Sequence, residues 1–362
     1  MLGDVCTDRN NGFNLLRLMA ALGILYAHCA LVIPSRSNIY TPDHSALTYG
    51  FDLLLALFFV FSGFLITASM ERNQSLIRYA TARALRIFPG LITVAIVLAL
   101  VAGPFLSELS AAEYYGSLQT WNFIPQMAIL VEANATLPGV FTNHPVPGAV
   151  DIPIWTLRYE LVIYAAFPFL YKLCLSHNGF LRASTLAGLI GAIALTKLVP
   201  EMAIEKDSVR HLLNFSASFL VGAAMWSYRN SIPYSATMVV LLWGLFALVA
   251  QYDVGFMVGI AASGYTFIYI AFLNLRPLKA YNTFGDYSYG TYILHFPVGQ
   301  FLYQLNPGID PLILAAQTAS VTLPLAIAMW LAVEQPALSQ IKNVEIWIRE
   351  KLAQNSRAII GH

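Results

Sequence analysis

A short set of side chains in this sequence could do chemistry. Arg17 and His28 stand eleven residues apart. At 100° per residue that is within about 20° of three full turns, so one helix would carry both on one face, about 16 Å apart along its axis. An imidazole so placed can act as general base or nucleophile, or be a packed, hydrogen-bonded core residue. Arg83 and Arg86 are i,i+3 neighbours shortly before Pro89. Their planar forks can close on one anion, and phosphate suits them best. A basic cytoplasmic loop alone would also account for Arg72 and Arg78. Asp52 and Glu160 are carboxylates that could orient an imidazole and make its far nitrogen a better base. Arg158 could pair with Glu160, and Glu334, just before Gln335-Pro336, could cap a helix exit. His295 lies inside an apolar run. Cys6, Cys29 and Cys174 show no CxxC or His clustering, so neither a metal centre nor a disulfide framework is expected.

The elements that must position these groups are set by composition. Of 362 residues, 58% are hydrophobic and 11% charged, against about 25% charged in a soluble domain. Nineteen acids and twenty bases cannot cover a soluble surface of this size, so lipid is the solvent. A net charge of +1 leaves no electrostatic footprint for nucleic acid. Runs of about 20 apolar residues predict an all-α polytopic membrane protein with about ten spans. These are Asn14–Ile33, Phe51–Met70, Ala84–Val101, Trp155–Leu175, Leu181–Pro200, His211–Tyr228, Tyr234–Gln251, Val254–Leu275, Tyr287–Leu305 and Pro311–Val333. The first is too long and too charged for a signal peptide.

Between the third and fourth spans, residues 102–153 hold six prolines and cannot cross a bilayer. With the N-terminus inside, Lys and Arg divide fifteen to five in favour of the inner side. Both termini are therefore expected in the cytoplasm and the long loop outside. Residues 1–340 form one membrane domain, and 341–362 a short cytoplasmic tail that reads as a surface-lying amphipathic helix. Orientation explains most of the charges. It does not require Arg17, His28, Asp52, Arg83, Arg86, Glu160 and His295, and a charge at bilayer depth costs from about 3 kcal/mol upward.

Taken in order, these residues resemble the acyltransferase-3 family of bacterial membrane acyltransferases. Phe13-Asn-Leu-Leu-Arg17 through His28 is similar to the family's Arg-x10-His helix. Phe58-Phe-Val-Phe-Ser62-Gly63 resembles its Ser-Gly helix, and Arg83-Ala-Leu-Arg86 its Arg-x-x-Arg motif. Trp155-Thr-Leu-Arg-Tyr-Glu160, Gly285-Asp-Tyr-Ser288 through His295-Phe-Pro297, and Val333-Glu334-Gln-Pro336 resemble the later motifs. There are departures. Asp52 is separated from Phe58-Phe59 by Leu-Leu-Leu-Ala-Leu, Arg158 stands where Ser or Pro is common, and no hydrolase-like domain is expected after the last span.

The resemblance implies transfer of an acyl group, expected to be acetyl, from cytoplasmic acyl-CoA to a hydroxyl of an extracytoplasmic glycan, in the bacterial inner membrane. Acetyl-CoA is then the co-substrate, with no metal. It implies that Arg17, Arg83 and Arg86 bind the CoA phosphates, that His28 is the base or acyl carrier, and that Glu160 or Asp52 orients it. Trp155, Arg158 and His295 fall to acceptor binding, aided by Tyr114, Tyr115, Trp121 and Asn122 of the long loop, unless that loop is simply a lid on the bundle. Ten helices with intramembrane charges would equally describe an ion-coupled secondary transporter of a small polar solute, although no inverted repeat is visible.

Overall fold

The computed structural model describes all residues except 7–9, 33–45, 131–135, 176–182, 185, 189, 192–206, 253 and 361–362. The described residues are helical without strands, apart from one isolated bridge between Ser107 and Val140. Among the described residues, four runs are long and apolar enough to cross a membrane: Phe13–Ala30, Tyr49–Arg72, Leu76–Leu106 and Pro311–Asn355. The expected count of about ten spans is not confirmed by these four. Helices do occupy Trp155–Leu170, Asp207–Ser227, Ala236–Val249, Gly255–Ala271 and Ser288–Leu305. Their length or polarity explains the difference. Fourteen residues at Ala236–Val249 rise about 21 Å, short of a hydrocarbon core of about 30 Å. Asp207–Ser227 is long enough but includes Asp207, Arg210, His211 and Asn214. The expected span Leu181–Pro200 lies mostly outside the described residues.

The chain divides into two compact units. The first comprises Met1–Ala27, Tyr40–Arg72 and Tyr159–Ser288. At its centre, the Ala46–Arg72 helix crosses the Asp207–Ser227 helix with the two backbones touching. A Cβ on Gly63 would stand 1.8 Å from the Phe219 carbonyl oxygen, and one on Gly222 would stand 2.0 Å from that of Val60. Small residues on both sides are what such an approach requires. Phe59 stacks on Phe215 beside the crossing, ring centroids 4.2 Å apart. Phe13, Phe61, Phe64, Trp226 and Tyr265 fill the core around it.

The second unit comprises His28–Ile39, Asn73–Arg158 and Tyr289–His362. Ser75 caps the Leu76–Val97 helix by accepting from the Arg78 amide. That helix runs through Pro89, and Thr93 donates its hydroxyl to the Pro89 carbonyl. Its end is a π turn, Leu98–Ala102. Carbonyls loosened by such a turn need donors. Tyr114 donates to Ala99 and Tyr115 to Leu100. The long polar segment is therefore tied to the helix below it through two of the aromatics that sequence reading offered to a glycan. The Ile341–Ile360 helix packs on Leu76–Val97, where Glu345 accepts from Ser75 and Arg78. Four π turns occur among the described residues. His28 opens one, and Glu334 closes another.

Candidate active site

The second unit opens at the π turn His28–Val32, which follows the Phe13–Ala27 helix in the chain. The widened turn packs on the Pro311–Met329 helix, where Cys29 meets Thr318. His28 is 3% exposed and His295 fully buried. Their ring nitrogens, Nδ1 of His28 and Nε2 of His295, are 3.0 Å apart. Phe296 closes the other side of His28, edge to face, at 5.5 Å between centroids.

The bonding of His295 decides the tautomer of His28. His295 Nδ1 lies 3.1 Å from the Thr291 carbonyl, one helical turn back. A carbonyl only accepts, so Nδ1 carries the proton. In the neutral ring, Nε2 is then the acceptor, and His28 must donate to it from Nδ1. When His28 is neutral, its lone pair is then on Nε2. A carboxylate was the expected orienting partner; an imidazole with its own tautomer pinned by a backbone carbonyl makes the same connection.

Arg86 Nη1 is 2.9 Å from Glu334 Oε2, and Glu334 is 1% exposed. The guanidinium also lies against Tyr289 and Trp330, 5.4 and 5.9 Å from the ring centroids. Tyr289 approaches closely because residue 90 is glycine: a Cβ there would be 2.9 Å from its ring. Its hydroxyl donates to the Ile87 carbonyl. Glu334, read from sequence as a helix-exit cap, is thus the counter-charge of Arg86. Arg83 is half-buried one turn earlier on the same helix. Trp155 and Arg158 are half-buried. Thr156 bonds the Tyr292 hydroxyl at 2.8 Å, and Tyr292 also donates to the Pro153 carbonyl.

The first unit holds the remaining candidates. Arg17 Nη1 is 2.9 Å from Asp286 Oδ2, and the Asp286 carboxylate also accepts from the Ser288 amide and hydroxyl. Arg17 Nε has no acceptor among the described residues. Glu160 accepts from Tyr164, one turn along its own helix, and both meet the Ser62 hydroxyl. The adjacent Gly63 makes the helix crossing that holds Ser62 there. Asp52 was read as a buried group at the start of its span. The helix begins earlier, at Ala46, and turns Asp52 to an exposed position.

Sequence reasoning missed the His28–His295 bond, Asp286 and the aromatic cage of Arg86. Asp286, Tyr289 and Glu334 all lay within the late motifs quoted for the family, so the signal was present. Their pairings join positions more than 200 residues apart.

Comparison with known proteins points the same way. The family model described as an acyltransferase domain matches residues 10–332. An O-acetyl transferase of Shigella phage Sf6 is 27% identical over 353 residues, covering 92% of this chain and 97% of that protein. Nodulation protein 10 of Rhizobium leguminosarum bv. viciae is 25% identical over 369 residues, covering 92% and 94%. No solved structure matches this chain.

Proposed function

We propose that this chain, which belongs to the acyltransferase-3 family, moves an acetyl group from cytoplasmic acetyl-CoA to a hydroxyl of an extracytoplasmic glycan, with both termini in the cytoplasm of a bacterial inner membrane. Membership and the O-acetyl transferase relative support O-acyl transfer. The observation that carries the chemistry is the buried His28, tied through Nδ1 to His295.

His28 Nε2 takes the proton of the acceptor hydroxyl as its oxygen attacks the thioester carbonyl. The new C–O ester bond forms and the C–S bond breaks. The departing thiolate takes the proton back from His28, releasing the ester and free CoA. His295 holds the ring while His28 is cationic.

The CoA phosphates call for cations that can donate more than one hydrogen bond. Arg17, Arg83 and Arg86 are our candidates. The carboxylates of Asp286 and Glu334 engage Nη1 of Arg17 and Arg86, each a five-donor guanidinium. Glu160, held by Ser62 and Tyr164, and the half-buried Trp155 and Arg158 fall to the acceptor side.

Purified protein incubated with labelled acetyl-CoA and de-O-acetylated surface glycan tests this. We expect label in the glycan, and about 100-fold or greater loss in His28→Ala. No transfer by the wild type, or undiminished transfer by the variant, refutes it. Proton-driven solute uptake in liposomes would instead establish a carrier.

A further inference from the structure

Asp151 is a buried carboxyl group that the reaction above does not use. It is 4% exposed, and neither carboxyl oxygen has a hydrogen-bond partner among the described residues. A polar group so placed costs free energy unless something bonds it.

Its surroundings place it along the helix that carries His295. On one side, Gln300 Nε2 donates to the Ala149 carbonyl at 3.0 Å. On the other, the Tyr292 hydroxyl donates to the Pro153 carbonyl at 2.8 Å. Residues 149–153 therefore run antiparallel to the Ser288–Leu305 helix, fastened at Gln300 and Tyr292. Asp151, with φ −149° and ψ 81°, is the middle residue of that run. It lies level with the turn that carries His295 and Phe296, and the Phe296 ring touches His28.

The fastening groups are already engaged. Gln300 Oε1 bonds His144, and the Tyr292 hydroxyl also bonds Thr156. We infer that Asp151 is an acceptor-recognition residue that binds a hydroxyl of a neutral sugar next to the one being acylated. Burial pushes its carboxyl well above the usual carboxylate range, which favours the protonated form. A neutral carboxylic acid has one donor and one acceptor oxygen, the complement of a sugar hydroxyl that both accepts and donates. This rests on the acyltransferase reading and adds to it the side chain that meets the acceptor.

The test uses the full-length protein with labelled acetyl-CoA and base-treated surface glycan, varying each in turn. Asp151→Asn keeps one donor and one acceptor, so both KM values should stay within about threefold of wild type. Asp151→Leu removes both, so the glycan KM should rise by about tenfold or more while the acetyl-CoA KM is unchanged. If the leucine variant does not purify as a folded species, Asp151→Ser, which cannot reach as far, should show the same split. A glycan KM unchanged in the Leu or Ser variant overturns the inference, as does Asp151→Asn failing as badly as Asp151→Leu. An acetyl-CoA KM that moves in step with the glycan KM overturns it too. An inactive wild type refutes acyl transfer itself, an outcome readable without any Asp151 variant.

Discussion

Replacing His295 separates a residue that positions the base from one that binds the acceptor. In His295→Ala, the His28 Nδ1–H loses its acceptor inside a site where His28 is 3% exposed. An unsatisfied buried donor costs about 1–3 kcal/mol. If that cost falls on the correctly oriented tautomer, kcat drops by roughly 5- to 150-fold. His28→Ala, which deletes the base, should cost about 100- to 10,000-fold.

Because His295 acts through His28, the double variant should be no slower than His28→Ala alone. His295→Gln, whose Oε1 can accept from Nδ1, should recover much of the rate. The assay is steady-state transfer of labelled acetyl to glycan by the wild type and the four variants, with both substrates varied. Losses that add in the double variant would refute the positioning role. So would a His295→Ala defect confined to the glycan KM, which is what the acceptor-binding role read from sequence requires.

Other perturbations follow from the same geometry. Arg86→Ala removes a paired cation from Glu334, which is 1% exposed. Removing one member of a buried pair costs about 3–5 kcal/mol, so the melting temperature in detergent should fall sharply; an unchanged value would show the pair to be dispensable. Gly222→Ala places a Cβ 2.0 Å from the Val60 carbonyl oxygen. The two helices must separate, and thermal stability should fall by at least as much as for overpacking, about 1–3 kcal/mol. Asp151 gives a pH dependence. Its folded-state pKa is raised by burial, so the native state binds more protons than the unfolded one. That contribution is fully present below the unfolded value of about 3.9 and is lost as pH rises through the raised folded value. Asp151→Asn should therefore melt higher than wild type at neutral pH, with the gap closing toward pH 4; a gap independent of pH would contradict the buried neutral acid.

The membrane character, the helical class and the motif residues were legible in the sequence, because each depends on local composition or on spacing along one helix. Scarcity of charge made Arg17, His28, Arg86 and His295 stand out from an apolar background. Span number was less legible. A hydropathy window does not register π turns at Leu98–Ala102 or Trp330–Glu334, or helices that stop after 14 residues. Asp52 was misplaced for a related reason: its helix starts five residues before the apolar run does.

What no local pattern could supply was the pairing. Glu334 looked like a cap until the fold set it against Arg86, and Asp286 had no assigned role until Arg17 met it. His28 was recognisable as a candidate base from the chain alone. Which of its nitrogens carries the lone pair depends on His295, 267 residues away, and on the Thr291 carbonyl behind it. A side chain's identity is written at its own position, whereas its protonation state is set by the hydrogen bonds around it, and those exist only once distant segments have packed together.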